Sequence, residues 1–182
     1  MCQQATRSTF SSEVLVRPSA RSVLQQIGQC NLVHFACHGI SDPVDPFSSG
    51  LVLQDDTSDA PRVEKLTVRQ ISEANLQRAT IAYLSACSTA ENLEVQLANE
   101  VIHLASGFQV AGFSHVVASM WALQDEICLD MAKGFSERLQ DHAGGRPTDR
   151  EVGLAVHNSV LEIRSKLRKM PLRWAPYIHL GA

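Results

Sequence analysis

Apolar residues fall in short runs between polar stretches containing Pro and Gly, and the spacing within each run predicts its conformation. Glu13 to Arg17 (EVLVR) reads as a short strand ended by Pro18. Ser19 or Ser22 is placed to cap a helix running to about Gln29, with Val23, Leu24 and Ile27 on its apolar side. Asn31 to Ala36 (NLVHFA) is a nearly continuous apolar run, the pattern of a strand buried on both faces, and it stops at Cys37-His38-Gly39. A loop from Ser41 to Gly50 leads to a brief strand, Leu51 to Leu53, and Asp55 to Pro61 forms another loop. Thr67 caps a short helix with Ile71 inward.

Thr80 to Ala86 (TIAYLSA) is a second buried strand with Cys87 at its carboxyl end, followed by a loop from Ser88 to Gln96. Ala98 to Val110 has helical spacing, with Val101, Ile102, Ala105 and Phe108 on one face. Gly112 turns the chain into a third strand, Ser114 to Met120, which ends at Trp121. The next helix, Asp125 to Leu139, opens on acidic residues that suit the positive end of a helix dipole. After a Gly-rich connection from His142 to Pro147, Asp149 to about Lys169 is amphipathic, with Val152, Ala155, Val156, Val160 and Ile163 inward. The closing WAPYIHL adds a last strand. Alternation of strands with helices predicts an α/β fold built on a mostly parallel sheet with helices on both faces. The expected organisation is a flexible segment over residues 1–12 and one domain over residues 13–182.

Composition narrows the functional classes. The 182 residues suffice for one domain, and 45% hydrophobic with 19% charged residues is ordinary for a globular chain. A net charge of −3 gives no reason to expect nucleic acid or an anionic membrane as partner. The sequence has no apolar run long enough to span a bilayer, and its polar start lacks the core of a secretory signal. Five irregularly spaced cysteines with no CxxC pair argue against a disulfide framework and point to a reducing compartment, the cytosol.

Ligand sites in open parallel sheets lie beyond the carboxyl ends of the strands, where His38 and Cys87 fall. An imidazole beside a thiol activates the sulfur, and nearby backbone N–H groups stabilise a tetrahedral oxyanion. Gly39 and Ser88-Thr89 let a substrate backbone approach, and the amides of Gly39 and Cys87 are the natural oxyanion donors. Taken singly, a strand-end Cys is more often a small hydrophobe, and a His before Gly is a turn residue. Together, the pair has the spacing of caspases, whose catalytic His precedes the Cys by about 50 residues.

The segments His34-Phe35-Ala36-Cys37-His38-Gly39 and Leu84-Ser85-Ala86-Cys87-Ser88-Thr89 resemble the motif pair of CHAT domains, which are caspase- and separase-related peptidase domains commonly joined to tetratricopeptide repeats. Gly107 to Gly112, Val116 to Trp121 and Trp174-Ala175-Pro176-Tyr177 extend the resemblance over about residues 14 to 182. It implies a caspase-like three-layer sandwich, with Cys87 as nucleophile and His38 as base or proton shuttle. In related separases, an Asp shortly after the equivalent Trp lines a pocket for a basic P1 residue. Asp125 matches it, with Glu126 beside it, although acidic residues also simply favour a helix start. The family domain usually begins with one more strand and helix, so the resemblance further implies a C-terminal piece with its first strand and any regulatory domains upstream. Caspases carry Gln-Ala-Cys-x-Gly at the nucleophile where this chain has Ser-Ala-Cys-Ser-Thr, so their Asp specificity does not transfer.

The expected function is therefore a cysteine endopeptidase acting on a protein or peptide in a signalling or cell-death-type pathway, without metal or cofactor. The alternative is a catalytically silent interaction module. His34 and His38, four residues apart on an extended strand, are separated by roughly 13 Å, too far to share one zinc. Ser85 and Ser88 lack the Gly-x-Ser-x-Gly elbow of a serine nucleophile. His103, His115, His157 and His179 read as structural or surface residues, and Glu91 and Glu94 as solubilising loop residues.

Overall fold

The structure, a computed structural model, describes residues 12–40, 42, 44–55, 62–74, 76, 78–85, 87–88, 97–140 and 146–181. Along the chain the elements are α1 (Ala20–Ile27), β1 (Leu32–Phe35), β2 (His38–Ile40), β3 (Gly50–Asp55), β4 (Arg62–Thr67), α2 (Val68–Glu73), β5 (Ile81–Leu84), β6 (Cys87–Ser88), α3 (Leu97–Val110), β7 (His115–Ser119), α4 (Asp125–Gln140), α5 (Asp149–Lys166) and β8 (Tyr177–Gly181). The central sheet runs β1-β5-β7-β8, parallel except for the antiparallel last strand. A second sheet, β4-β3-β2-β6, is antiparallel apart from the β2–β6 pair.

Alternation along the central strands divides the core. Ala82 and Leu84 of β5, with Val116 and Ala118 of β7, join Phe108, Ile71, Leu51 and Leu66 on one side. Ile81, Tyr83 and Val117 meet Met131, Phe135, Val152 and Ile163 of α4 and α5 on the other. Helices cover both faces of a mostly parallel sheet, as a caspase-like sandwich requires.

Local chemistry sets the helix starts. The Ser22 N–H donates to Ser19 Oγ at 3.2 Å. Thr67 and Thr148 each form a capping box, with Gln70 and Glu151 respectively. Gly112 turns α3 into β7 at φ 115°, where an added Cβ would run into the Leu76 carbonyl. No described helix is long and apolar enough to cross a membrane.

Several expectations need correction. Glu13 to Arg17 is not a strand: Val14 and Val16 are exposed, and Arg17 bends the chain at φ 50°. Its apolar alternation has no sheet neighbour to pair with among the described residues. The NLVHFA strand is an edge strand, so only Phe35 is buried and His34 is exposed. The chain does not stop at His38 but begins β2 there, and Ser88 belongs to β6. Strand β4 was not expected, because Arg62, Glu64 and Lys65 break its apolar pattern; pairing with β3 over six residues holds it. On α3, Ile102 faces solvent, while Leu104, Ala105 and Phe108 face the core. Of the expected loops from Asp55 to Pro61, Ser88 to Gln96 and His142 to Pro147, residues 56–61, 89–96 (with Glu91 and Glu94) and 142–145 lie outside the described residues.

Candidate functional site

Strands β1 and β5 run parallel with His34 opposite Tyr83 and Phe35 opposite Leu84. The Ser85 N–H donates to the Phe35 carbonyl at 2.9 Å, extending this ladder by one residue. Beyond it, both segments leave the central sheet and re-enter the second sheet as β2 and β6. These pair in parallel with His38 opposite Cys87 and Gly39 opposite Ser88. The two candidate catalytic residues are thus cross-strand partners, separated at the backbone by the usual interstrand spacing of about 4.8 Å. They do not terminate the central strands, as the sequence implied, but open two short strands just past them. On its other edge β2 pairs with β3, which puts Val52 opposite His38 and Leu51 opposite Gly39. His38 is exposed.

A polar cluster lies on the α4–α5 side of the same sheet edge. His34 Nε2 and Ser85 Oγ are 2.8 Å apart, joining the ends of β1 and β5. The His34 ring stands edge-on to Tyr83 with centroids 4.8 Å apart. His34 is exposed as a residue, yet partial desolvation of its ring holds its pKa below the ordinary value. The Tyr83 hydroxyl is buried with no partner of good hydrogen-bond geometry among the described residues. Burial pushes its pKa up, against a smaller opposing influence of the Ser85 hydroxyl. Tyr83, Ser85, Ser119, Cys128 and Tyr177 line a cavity of about 10 Å³, room for a single water-sized group. Burial pushes the pKa of the Cys37 thiol, between β1 and β2, up to about 11.

Asp125 and Glu126 are exposed in the first turn of α4, just past the carboxyl end of β7. Asp125 precedes the cavity-lining Cys128 by three residues, one helical turn along the same face. The Trp121 indole N–H donates to the Leu172 carbonyl at 2.8 Å, tying the β7–α4 connection to the segment before β8. No group of three or more His, Cys, Asp or Glu among the described residues is arranged to hold a metal ion.

The CHAT domain family model matches residues 2–182. The chain belongs to the CHAT domain family. CHAT domains are a caspase-like family, and the paired strands β2 and β6 carry the two motif residues of this one in register. Among curated proteins, none matches the chain.

Two arrangements in this CHAT domain were not anticipated. The His34–Ser85 contact had a signal in the sequence: each is a polar residue near the end of an apolar run and needs a partner there. The second lies at the opposite end of β7. His115, fully buried, places Nε2 at 3.1 Å from Asp149 Oδ1 and Nδ1 at 3.1 Å from His179 Nε2, tying β7, β8 and α5 together. His157 is exposed, in line with the surface role expected of it. The His103 side chain lies outside the described ones.

Burial, with His115 adding to the effect, also holds the pKa of His179 below its ordinary value. A folded pKa below the unfolded value near 6.5 means that, in acid, the unfolded chain binds protons which the folded one refuses. Stability is therefore expected to be complete above about pH 6.5 and to decline below it as His34 and His179 are forced to charge. Urea denaturation at a series of pH values between 7.5 and 5 checks this. His179→Gln should flatten the decline, and a stability that rises on acidification through this window contradicts the assignment.

Proposed function

We propose that this CHAT domain is a cysteine endopeptidase that cleaves a protein partner, after a basic residue, in a signalling or cell-death-type pathway of the cytosol. The in-register pairing of His38 with Cys87 carries the reading, because it sets the backbones of a proton-carrying residue and a thiol-bearing residue one strand spacing apart. Five irregularly spaced cysteines with no CxxC pair support a reducing compartment.

The chemistry follows from the residue types. The Cys87 thiolate adds to the scissile carbonyl, and the Gly39 and Cys87 amides receive the oxyanion. His38 protonates the leaving amine as the C–N bond breaks, leaving an acyl thioester on Cys87. Water deprotonated by His38 then attacks the thioester and releases the acid product and the thiol. The position of Asp125 in the exposed first turn of α4, just past the carboxyl end of β7, supports a basic P1 residue, with Glu126 as its neighbour.

A second reading, a catalytically silent interaction module, draws support from β1, an edge strand in the described sheet that is open to augmentation by a partner strand. A peptide-library cleavage assay on the longest native form of the protein separates the two. Cleavage lost in Cys87→Ala supports the peptidase. A protein that cleaves nothing, and whose cellular output survives Cys87→Ala, is the module.

A further inference from the structure

We propose that His34 and Ser85 form a positioning pair that sets the register of β2 against β6, and so the approach of His38 to Cys87. This rests on the dyad reading but concerns residues outside the dyad. Among the described residues the β2–β6 ladder comprises two residue pairs, His38–Cys87 and Gly39–Ser88. A ladder of that length has little stability of its own, and among the described residues β6 pairs with β2 alone. What fixes its alignment must lie where the two segments leave the central sheet.

At that point the backbone supplies one bond, Ser85 N–H to the Phe35 carbonyl at 2.9 Å. The side chains supply the other, His34 Nε2 with Ser85 Oγ at 2.8 Å. Ser85 is two residues before Cys87, and His34 is four before His38. A slip at the exit is transmitted directly to the reacting pair. The edge-on contact with Tyr83, itself packed on Phe135 with centroids 5.4 Å apart, holds the imidazole in place from the α4 side. His34 reaches solvent only in part, and its lowered pKa keeps it neutral at physiological pH, so that Ser85 can donate to Nε2.

The test reads Cys87 itself and does not depend on turnover. Alkylation of Cys87 by iodoacetamide is followed by peptide mass spectrometry across pH 5 to 10 in wild type, Ser85→Ala, His34→Ala, the double variant and His34→Gln, which retains an amide oxygen to accept from Ser85. Ser85→Ala and His34→Ala should each slow alkylation near pH 7 by roughly tenfold and move the profile toward that of an ordinary thiol, as a misplacement of about 1 Å can cost as much as a hundredfold. The double variant should be no slower than either single one, and His34→Gln should recover part of the loss. Thermal midpoints, recorded in parallel, identify any variant that merely unfolds; for such a variant the paired Gln substitution decides. Profiles unchanged in both Ala variants, or losses that simply multiply in the double variant, overturn the pair. Peptide hydrolysis by the same wild-type protein is scored separately. A silent wild type with shifted variant profiles defeats the peptidase reading and leaves the positioning pair standing, whereas an active wild type with unmoved profiles does the reverse.

Discussion

Cys87→Ala is expected to abolish peptide hydrolysis, and His38→Ala to slow it by roughly a hundred- to ten-thousandfold, the usual contribution of a positioned proton carrier. The two losses have different origins. Without sulfur, no thioester forms. Without imidazole, no neighbouring group takes the thiol proton. The leaving amine also goes unprotonated, a penalty that a small alkylating reagent never meets. His38→Ala should therefore depress hydrolysis more than it depresses Cys87 alkylation, and the excess measures the proton delivered to the amine. The effect belongs in kcat, since His38 is the cross-strand partner of Cys87 and is assigned no part in P1 recognition. Wild-type hydrolysis rates in His38→Ala, measured with a fluorogenic peptide between pH 6 and 9, would remove His38 from the mechanism.

The parts of this fold that depend on local pattern were legible in the sequence. Strand β5 is buried at all four positions and β7 at four of five, so their apolar runs carried the information directly. Thr67 as a cap marked the start of α2, and the amphipathic spacing from Asp149 marked that of α5. The parts held by distant partners were not legible. Strand β4 is stable only because Leu66 and its neighbours pair with β3, and β2 and β6 are too short to leave a periodicity at all. The converse error has the same cause: EVLVR alternates like a strand, yet Val14 and Val16 are exposed because sequence pattern cannot supply a neighbour.

The candidate site was legible as motifs rather than as geometry. His38, Gly39 and Cys87 were picked out by residue type and spacing, but their placement on a second sheet was invisible, since that sheet is assembled from four separate strands. His34 was considered only as a metal ligand with His38, a pairing along one strand. Its partner is across the sheet, on Ser85. For His115 the sequence offered a lone histidine in an apolar strand, and the two groups that satisfy it, Asp149 and His179, come from elements 34 and 64 residues away.

Asp125→Asn is expected to cut kcat/KM for substrates with Arg at P1 by roughly a hundredfold while leaving alkylation of Cys87 by a small reagent intact. A carboxylate pairs with a guanidinium through two parallel charge-assisted hydrogen bonds, stronger and more directional than neutral ones. Asp125 is exposed in the unliganded protein, so the pair would be desolvated only as the substrate covers it, and the gain is tied to correct P1 recognition. The Asn variant keeps the shape and removes the charge, which separates recognition from helix capping: a helix start tolerates Asn as well as Asp. A citrulline substrate, isosteric with Arg but uncharged, should lose little in Asp125→Asn. Glu126 is the neighbouring rival, and an unaffected Asp125→Asn beside a crippled Glu126→Gln transfers the role to it. The acidic residues of the loop after His38 are poorer candidates, because their carboxylates are engaged within it. Asp42 accepts the N–H groups of Val44 and Asp45, each at 2.9 Å. Asp45 accepts from Phe47, Ser48 and Arg69. If Arg preference survives both α4 variants, these two are the next to change. A wild-type preference for Asp or for an apolar P1 residue would remove the acidic-pocket assignment altogether, because a carboxylate at the pocket mouth repels the first and gains nothing from the second.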